Sequence, residues 1–285
     1  MALIVYLLII LASVTQSATT KLFNRHSPHS AVFNALKACT ALVLFALMAA
    51  FGFTFHLPTV LFGLLYGASL CLSMYAGYQA LCRGPMALTS MLVSFSVLLP
   101  LLWGITVGEE TLNGWQGVAF IPLFLAIILT NVDKIHTKQQ TPPQYGIWLL
   151  FVGITFVCNG VCSILQTQHQ AWYPEAYSRE FMLFAMLLCS VVFLVIALTK
   201  TSPKEFKAVK GKRYGVLSGL ANGMANFLTL VLAGLENASI LFPIISAGTI
   251  LASLLCGRLL FKERLKLNHS IALAMGLVSI VLLKL

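Results

Sequence analysis

Polar and charged side chains break this chain only at long intervals. Between the breaks lie apolar runs near residues 2–20, 31–53, 59–81, 86–107 and 115–131, and, after a gap, near 146–167, 181–199, 214–234, 238–260 and 268–285. Crossing about 30 Å of hydrocarbon takes roughly 20 residues of helix, so each run predicts one transmembrane helix. The expected fold is therefore an all-α integral membrane protein of ten transmembrane helices. The gap, Asp133 to Tyr145, carries Lys134, Lys138 and Pro142-Pro143 and forms a natural midpoint. It divides the chain into a five-helix half at 1–132, a basic, proline-containing linker at 133–145, and a second five-helix half at 146–285.

Composition strengthens this picture. The chain is 59% hydrophobic and 9% charged over 285 residues, with a mean hydropathy of +0.92; lipid is its solvent, and ten spans leave no room for a separate water-soluble domain. No positive charge precedes the first apolar run, while Lys21 and Arg25 follow it, the reverse of a cleavable signal, so the segment is expected to stay. The balance of 18 Lys plus Arg against 8 Asp plus Glu raises the question of nucleic acid, but basic loops facing an anionic leaflet account for it better. The seven cysteines all fall within or at the edges of apolar runs, without the paired loop spacing of a disulfide framework or zinc site. Neither a metal nor another cofactor is expected.

The two halves are similar to each other. Sliding the chain by 152 places Phe62-Gly63-Leu64-Leu65-Tyr66-Gly67 on Tyr214-Gly215-Val216-Leu217-Ser218-Gly219, and Ser94 on Ser246. One residue of slippage later, Gly104, Glu110 and Leu112 fall on Gly257, Glu263 and Leu265. At an offset of 143, Gln16 meets Asn159. An odd number of spans per half requires the repeats to be inverted, and charge placement agrees. With the N-terminus outside, the cytoplasmic loops carry Lys21 and Arg25, Arg83, Lys134 and Lys138, the Lys200 to Arg213 stretch and the Arg258 to Lys266 cluster, leaving Arg179 and Lys284 outside and Lys37 within a span. Both termini are expected outside the cytoplasm of a plasma-membrane protein.

Ten spans in two inverted halves, whose fourth helices end in Gly104...Gly108-Glu109-Glu110-Thr111-Leu112 and Gly257...Lys262-Glu263-Arg264-Leu265, resemble the EamA-type permeases of the drug/metabolite transporter (DMT) superfamily. The resemblance covers almost the whole chain; the second copy departs from the family pattern at Lys262, where glycine is usual. Members of that family move amino acids, sugars and their derivatives, nucleobases or cationic drugs. The resemblance thus implies a small-molecule substrate and no enzymatic activity.

Polar side chains inside hydrocarbon are costly unless they face a neighbouring helix or an aqueous cavity, so they mark any pathway. In the third span Tyr66, Ser69, Ser73 and Gly77 share one face, and in the eighth Ser218, Asn222, Ala225 and Thr229 do the same, with Asn226 close by. The first and sixth spans add Thr15, Gln16 and Thr19, and Asn159, Ser163 and Gln166; the fourth and ninth add Ser90 and Ser94, and Ser246 and Thr249. The alternative is that the hydroxyls bond to their own backbone and that Gly63-x3-Gly67 and Gly215-x3-Gly219-x3-Gly223 are packing seams. Pro100 and Pro243 permit kinks that serve either gating or helix shaping. Lys37 lies about six residues, or roughly 9 Å, inside the second span; it either snorkels to the cytoplasmic surface or contacts an anion at a gate.

All eight acids and all six histidines fall in or near loops, His269 and Glu236 being closest to a span. With no central proton carrier, the expected function is alternating-access permeation or export of small polar or amphipathic metabolites, by facilitated diffusion or exchange. The alternative is proton-coupled efflux of drugs or amino acids. More remote are a membrane-embedded lipid-modifying enzyme, for which one aspartate, Asp133, is a poor supply of catalytic acids, and a non-transporting membrane subunit. The expected partners are a small-molecule substrate and membrane lipid, with no nucleic acid, in a monomer or homodimer.

Overall fold

The computed structural model describes residues 2–26, 29–83, 86–135, 145–202, 206, 209–261 and 267–285. All regular structure among them is helical: α1 (Ala2–His26), α2 (Ser30–Ala50), α3 (Leu57–Arg83), α4 (Met86–Ser94), α5 (Leu98–Thr106), α6 (Gly114–Ile135), α7 (Tyr145–Trp172), α8 (Ser178–Lys200), α9 (Lys212–Ala233), α10 (Ala238–Phe261) and α11 (Leu267–Lys284). A 3₁₀ turn, Phe95–Val97, joins α4 to α5 as one broken pass, which makes ten helical passes. Of the expected midpoint linker, residues 136–144 lie outside the described residues, as do Lys204, Lys207 and the stretch 262–266 with Glu263.

Eight of the helices are long and apolar enough to cross a membrane; the apolar parts of the other two passes, Met91–Thr106 and Gly114–Thr130, are shorter. In lipid every backbone N–H must be satisfied within its own segment, which is why apolar runs of this length become helices. Their outer faces are apolar too. On α1, Tyr6 and Ile9 are buried while Leu3, Ile4, Leu7, Leu8 and Leu11 are exposed, a surface suited to acyl chains. These are the features of a multi-pass membrane protein.

The prolines act unequally. Pro100 has no N–H for the carbonyl of residue 96 and its ring crowds that carbonyl, and the pass tightens into the 3₁₀ turn just before it. α10 runs without interruption through Pro243, and α6 through Pro122, a position that the sequence reading passed over.

The chain forms two compact units, and each draws on both ends of the sequence. The first comprises Met1–Cys71 and Leu165–Gly234. It is held by glycine seams. On α9, a Cβ at Gly219 would stand 2.5 Å from the carbonyl oxygen of Lys37 on α2, and one at Gly215 would stand 3.0 Å from the Leu36 Cβ. On α3, a Cβ at Gly63 or Gly67 would stand 2.6 or 2.7 Å from the carbonyl oxygens of Phe181 and Ala185 on α8. Only glycine permits such backbone approach, the usual means by which helices associate in lipid. α1 packs along α9, and Phe23, Val32, Phe33 and Val209 form an apolar cluster at the α1–α2 end.

The second unit comprises Leu72–Ile164 and Leu235–Leu285. Its core is Leu123, Ile127 and Ala247, with Phe95, Phe120, Phe124, Ile250 and Ile280 packed around them. A smaller cluster of Ala80, Trp148 and Val152 is pinned by the Trp148 indole N–H, which donates to Thr89 Oγ1 at 2.8 Å.

This unit also explains the Gly-Glu sequence after α5. The N–H groups of Val107 and Gly108 donate to the Trp103 carbonyl at 2.9 and 3.1 Å, and that of Glu110 donates to the Gly104 carbonyl at 3.0 Å. Glu109 takes the left-handed conformation, φ 52°, that turns the chain back over α5. The Glu110 carboxylate then accepts the N–H groups of Ala238 and Ser239 at 2.8 and 2.9 Å, capping the start of α10. A Cβ at Gly104 would lie 2.5 Å from that carboxylate, so the glycine and the glutamate belong to one device.

Candidate polar sites within the helices

Within the first unit, Tyr66 on α3 donates through its hydroxyl to Asn226 Oδ1 on α9 at 2.8 Å. Asn226 Nδ2 in turn donates to the Asn222 carbonyl at 2.8 Å and to Asn222 Oδ1 at 3.2 Å. The Gln166 amide on α7 donates to the Asn226 carbonyl at 3.3 Å. Three helices distant in sequence are thus tied by a network of amides and one phenol. Tyr66 and Asn222 are buried and Asn226 half-buried.

Gln16, half-buried on α1, has no side-chain hydrogen bond among the described residues, nor does half-buried Ser69. Ser218 is fully buried, and its hydroxyl has no partner there. Thr15 and Thr19 donate to carbonyls of their own helix, at 2.8 Å to Leu11 and 2.7 Å to Thr15. Lys37 is buried at 8% exposure; its ammonium has no hydrogen-bonding or anionic partner among the described residues.

Within the second unit, Ser73 on α3 donates to Asn159 Oδ1 on α7 at 2.6 Å. The Ser163 hydroxyl donates to the Asn159 carbonyl at 3.4 Å. Asn159 is half-buried, and its amide nitrogen keeps both donors free among the described residues. Ser246 on α10 is half-buried without a side-chain partner there, whereas Ser94 has one. Tyr66, Asn226, Gln166 and Asn159 thus join neighbouring helices, while Thr15 and Thr19 serve only their own backbone.

A second polar constellation in the first unit escaped the sequence reading, which put the histidine nearest a span at His269. His169 lies inside α7, three residues before its end, and is fully buried. Its Nε2 is 3.0 Å from Thr59 Oγ1, which is itself 2.9 Å from His56 Nδ1. On the other side of the ring, Gln170 Nε2 stands 3.1 Å from His169 Nδ1 and donates to Ser178 Oγ at 3.1 Å. Above them, His56 stacks on Tyr177 with centroids 4.4 Å apart and meets Tyr173 edge-on. Glu180, at 2% exposure, accepts the Thr54 N–H at 3.1 Å. The carboxylate expected near a loop is therefore buried in the first turn of α8. Two residues of the connecting loop, Glu175 and Tyr177, hold left-handed conformations.

The signal that could have located His169 is the polar run Gln166-Thr167-Gln168-His169-Gln170, which reads as the end of a span and is instead its buried last turns. Six cysteines among the described residues are free. Cys71 on α3 and Cys189 on α8 are in contact, 3.5 Å between sulfurs.

No protein-family model matches the chain, and no curated protein matches it. Among solved structures it is similar to a crystal structure described only as that of a protein. The two share a TM-score of 0.80 at 16% identity, over 98% of this chain and 94% of the other. At that identity the likeness concerns the fold alone.

Proposed function

We propose that the protein is a membrane transporter of small polar or amphipathic metabolites, working by alternating access, with the organisation of an EamA-type permease. The observation that carries this reading is the set of neutral amides held inside apolar helices with hydrogen-bonding capacity to spare: Gln16 with no side-chain partner, and Asn159 with both amide donors free, among the described residues. Such groups are expensive in lipid and are kept where water or a polar ligand reaches them. They also occupy corresponding first helices of the two sequence halves.

The inverted five-helix repeat is supported by the packing inside the first unit. The third span of the first half, α3, seats its glycines on α8, the second span of the other half. Reciprocally α9, the third span of the second half, seats its glycines on α2. An inverted repeat requires such an exchange. The basic loops favour both termini outside the plasma membrane. Substrate exchange or facilitated diffusion follows from the neutral amides; proton-coupled efflux is the second reading, and buried His169 favours it. No enzymatic role is proposed, and the working form is a monomer or homodimer.

Single cysteines at positions 16, 159 and 222, in a background lacking the seven native ones, test the pathway. They should react with small water-soluble thiol reagents and be protected by whichever compound stabilises the protein in a thermal-shift screen. Silence at all three, with labelling at loop controls, would return the amides to a packing role. A C-terminal reporter active only outside the cytoplasm tests the topology; an inactive, well-expressed fusion would reverse it.

A further inference from the structure

The seam between α2 and α9 fixes where Lys37 sits. Because a Cβ at Gly219 would stand 2.5 Å from the Lys37 carbonyl oxygen, Lys37 lies against α9 at the height of Ser218. Asn222 follows Gly219 by three residues, about 4.5 Å of rise. All three residues belong to the first unit. An ammonium that had snorkelled to the interface would leave its tip uncovered. Lys37 is instead covered by protein, at 8% exposure, which decides between the two roles open to it in the sequence.

The adjoining stretch of α9 offers donors and no negative charge. Asn222 is buried at 7% exposure; its Oδ1 accepts from Asn226, but its amide nitrogen has no partner among the described residues. The Ser218 hydroxyl is fully buried and unpartnered there as well. With the Lys37 ammonium, that makes three unengaged donor groups within one helical turn on two packed helices, and burying such groups unpaired is costly. The described acids of this unit are remote from them. Glu180 is held by the Thr54 N–H in the first turn of α8, at the end of the unit where α2 finishes, and Glu175 lies in the loop before it. Ala50, the last residue of α2, is thirteen residues beyond Lys37, about 20 Å along the helix.

We infer that Lys37, Ser218 and Asn222 form a binding site for the carboxylate of a small monoanionic metabolite. The inference rests on the transporter reading above and names its substrate class. Charge selects that class: one ammonium among neutral donors balances one negative charge, whereas a doubly charged phosphate would bring an uncompensated charge into apolar surroundings. Stereochemistry agrees, since a carboxylate has about four lone-pair sites on two oxygens, enough for the ammonium, the hydroxyl and the amide together. The neutral part of such a molecule would lie toward Asn226, four residues or about 6 Å further along α9. There the network of Tyr66, Asn226 and Gln166 supplies uncharged polar groups.

The test is thermal unfolding of the whole protein in phosphatidylcholine nanodiscs at fixed ionic strength. The probes are sodium acetate, lactate and gluconate, with acetamide, lactamide and glucose as uncharged counterparts. Without any probe, Lys37→Met should raise Tm, because it removes a buried charge that has no partner; a lysine in a structural pair would lower it. At least one carboxylate should raise the Tm of the native protein and its uncharged counterpart should not. Lys37→Met should abolish that rise. Ser218→Ala, which removes only an unpartnered hydroxyl, should fold normally and weaken the binding about tenfold. A native protein indifferent to all three carboxylates, an equal response in Lys37→Met, or a lower Tm of that variant without probe would overturn the site. A Lys37-dependent rise with inorganic phosphate alone, or with phosphatidylglycerol in the nanodisc alone, would overturn the carboxylate assignment in favour of a phosphate or a lipid headgroup. None of these readouts involves transport, and Gln16 and Asn159 lie outside the site, so labelling at those two positions would uphold the transporter reading even if the site fails.

Discussion

Replacing Glu110 by alanine should destabilise the protein by an amount that its two backbone contacts set. The carboxylate holds the N–H groups of Ala238 and Ser239 at 2.8 and 2.9 Å, two of the four donors at the start of α10 that have no intrahelical partner. Hydrogen bonds to a charged group contribute about 1.5–3 kcal/mol net when buried, and a carboxylate at a helix start adds about 0.3–1 kcal/mol through the dipole. Because Glu110 is only half-buried, the lower part of the range applies, and the expected loss is about 2–3 kcal/mol. For a chain of this size that corresponds to a fall in Tm of about 4–12 °C.

The assay is thermal unfolding in one detergent, followed by the loss of the monodisperse peak on size-exclusion chromatography. Glu110→Gln, which keeps one acceptor, should fall between alanine and the native protein. Glu109→Ala removes an adjacent, exposed carboxylate with no partner among the described residues and should shift Tm by no more than about 2 °C. Gly104→Ala pushes the carboxylate off its seat and should reproduce the Glu110→Ala loss, with the double variant little worse than either. Equal melting of Glu110→Ala and the native protein, or equal loss in Glu109→Ala, would refute the capping account.

The other predictions concern helix packing. Gly219→Ala should destabilise by about 1–3 kcal/mol, since its Cβ would meet the Lys37 carbonyl. Gly153→Ala, with nothing within 4 Å of its Cβ, should be neutral or slightly stabilising in the same melt. In a background keeping only Cys71 and Cys189, a mild oxidant should link the chain segments on either side of a protease site inserted near residue 140, because the sulfurs need to close from 3.5 Å to about 2 Å; two separate fragments on a non-reducing gel would contradict the α3–α8 seam. Tyr66→Phe leaves Asn226 Oδ1 without its donor and should lower stability by about 1 kcal/mol or more, while Tyr75→Phe, at an exposed site, should not; equal melting of the two would remove the phenol from the network.

The sequence by itself determined the helices and their solvent. A run of some twenty apolar residues has one low-energy conformation in lipid, because only the helix satisfies its backbone locally. The helices, their ends within a few residues and the glycine-rich faces of α3 and α9 were legible for that reason, eight of the helices being long and apolar enough to cross a membrane. Which backbone each glycine face meets was not, since Gly219 and Lys37, or Gly67 and Ala185, are brought together only when the helices pack. The same holds for Glu110. Its sequence marks the end of α5, but its partners Ala238 and Ser239 belong to a helix more than a hundred residues away. His169 was misread as an interfacial residue because its polar neighbours resemble a loop. It became a buried group only when Thr59, itself no more than a span-edge hydroxyl in sequence, was packed against it. Local backbone chemistry is written in consecutive residues, whereas burial and the pairing of polar atoms depend on contacts between distant segments, which only the tertiary structure supplies.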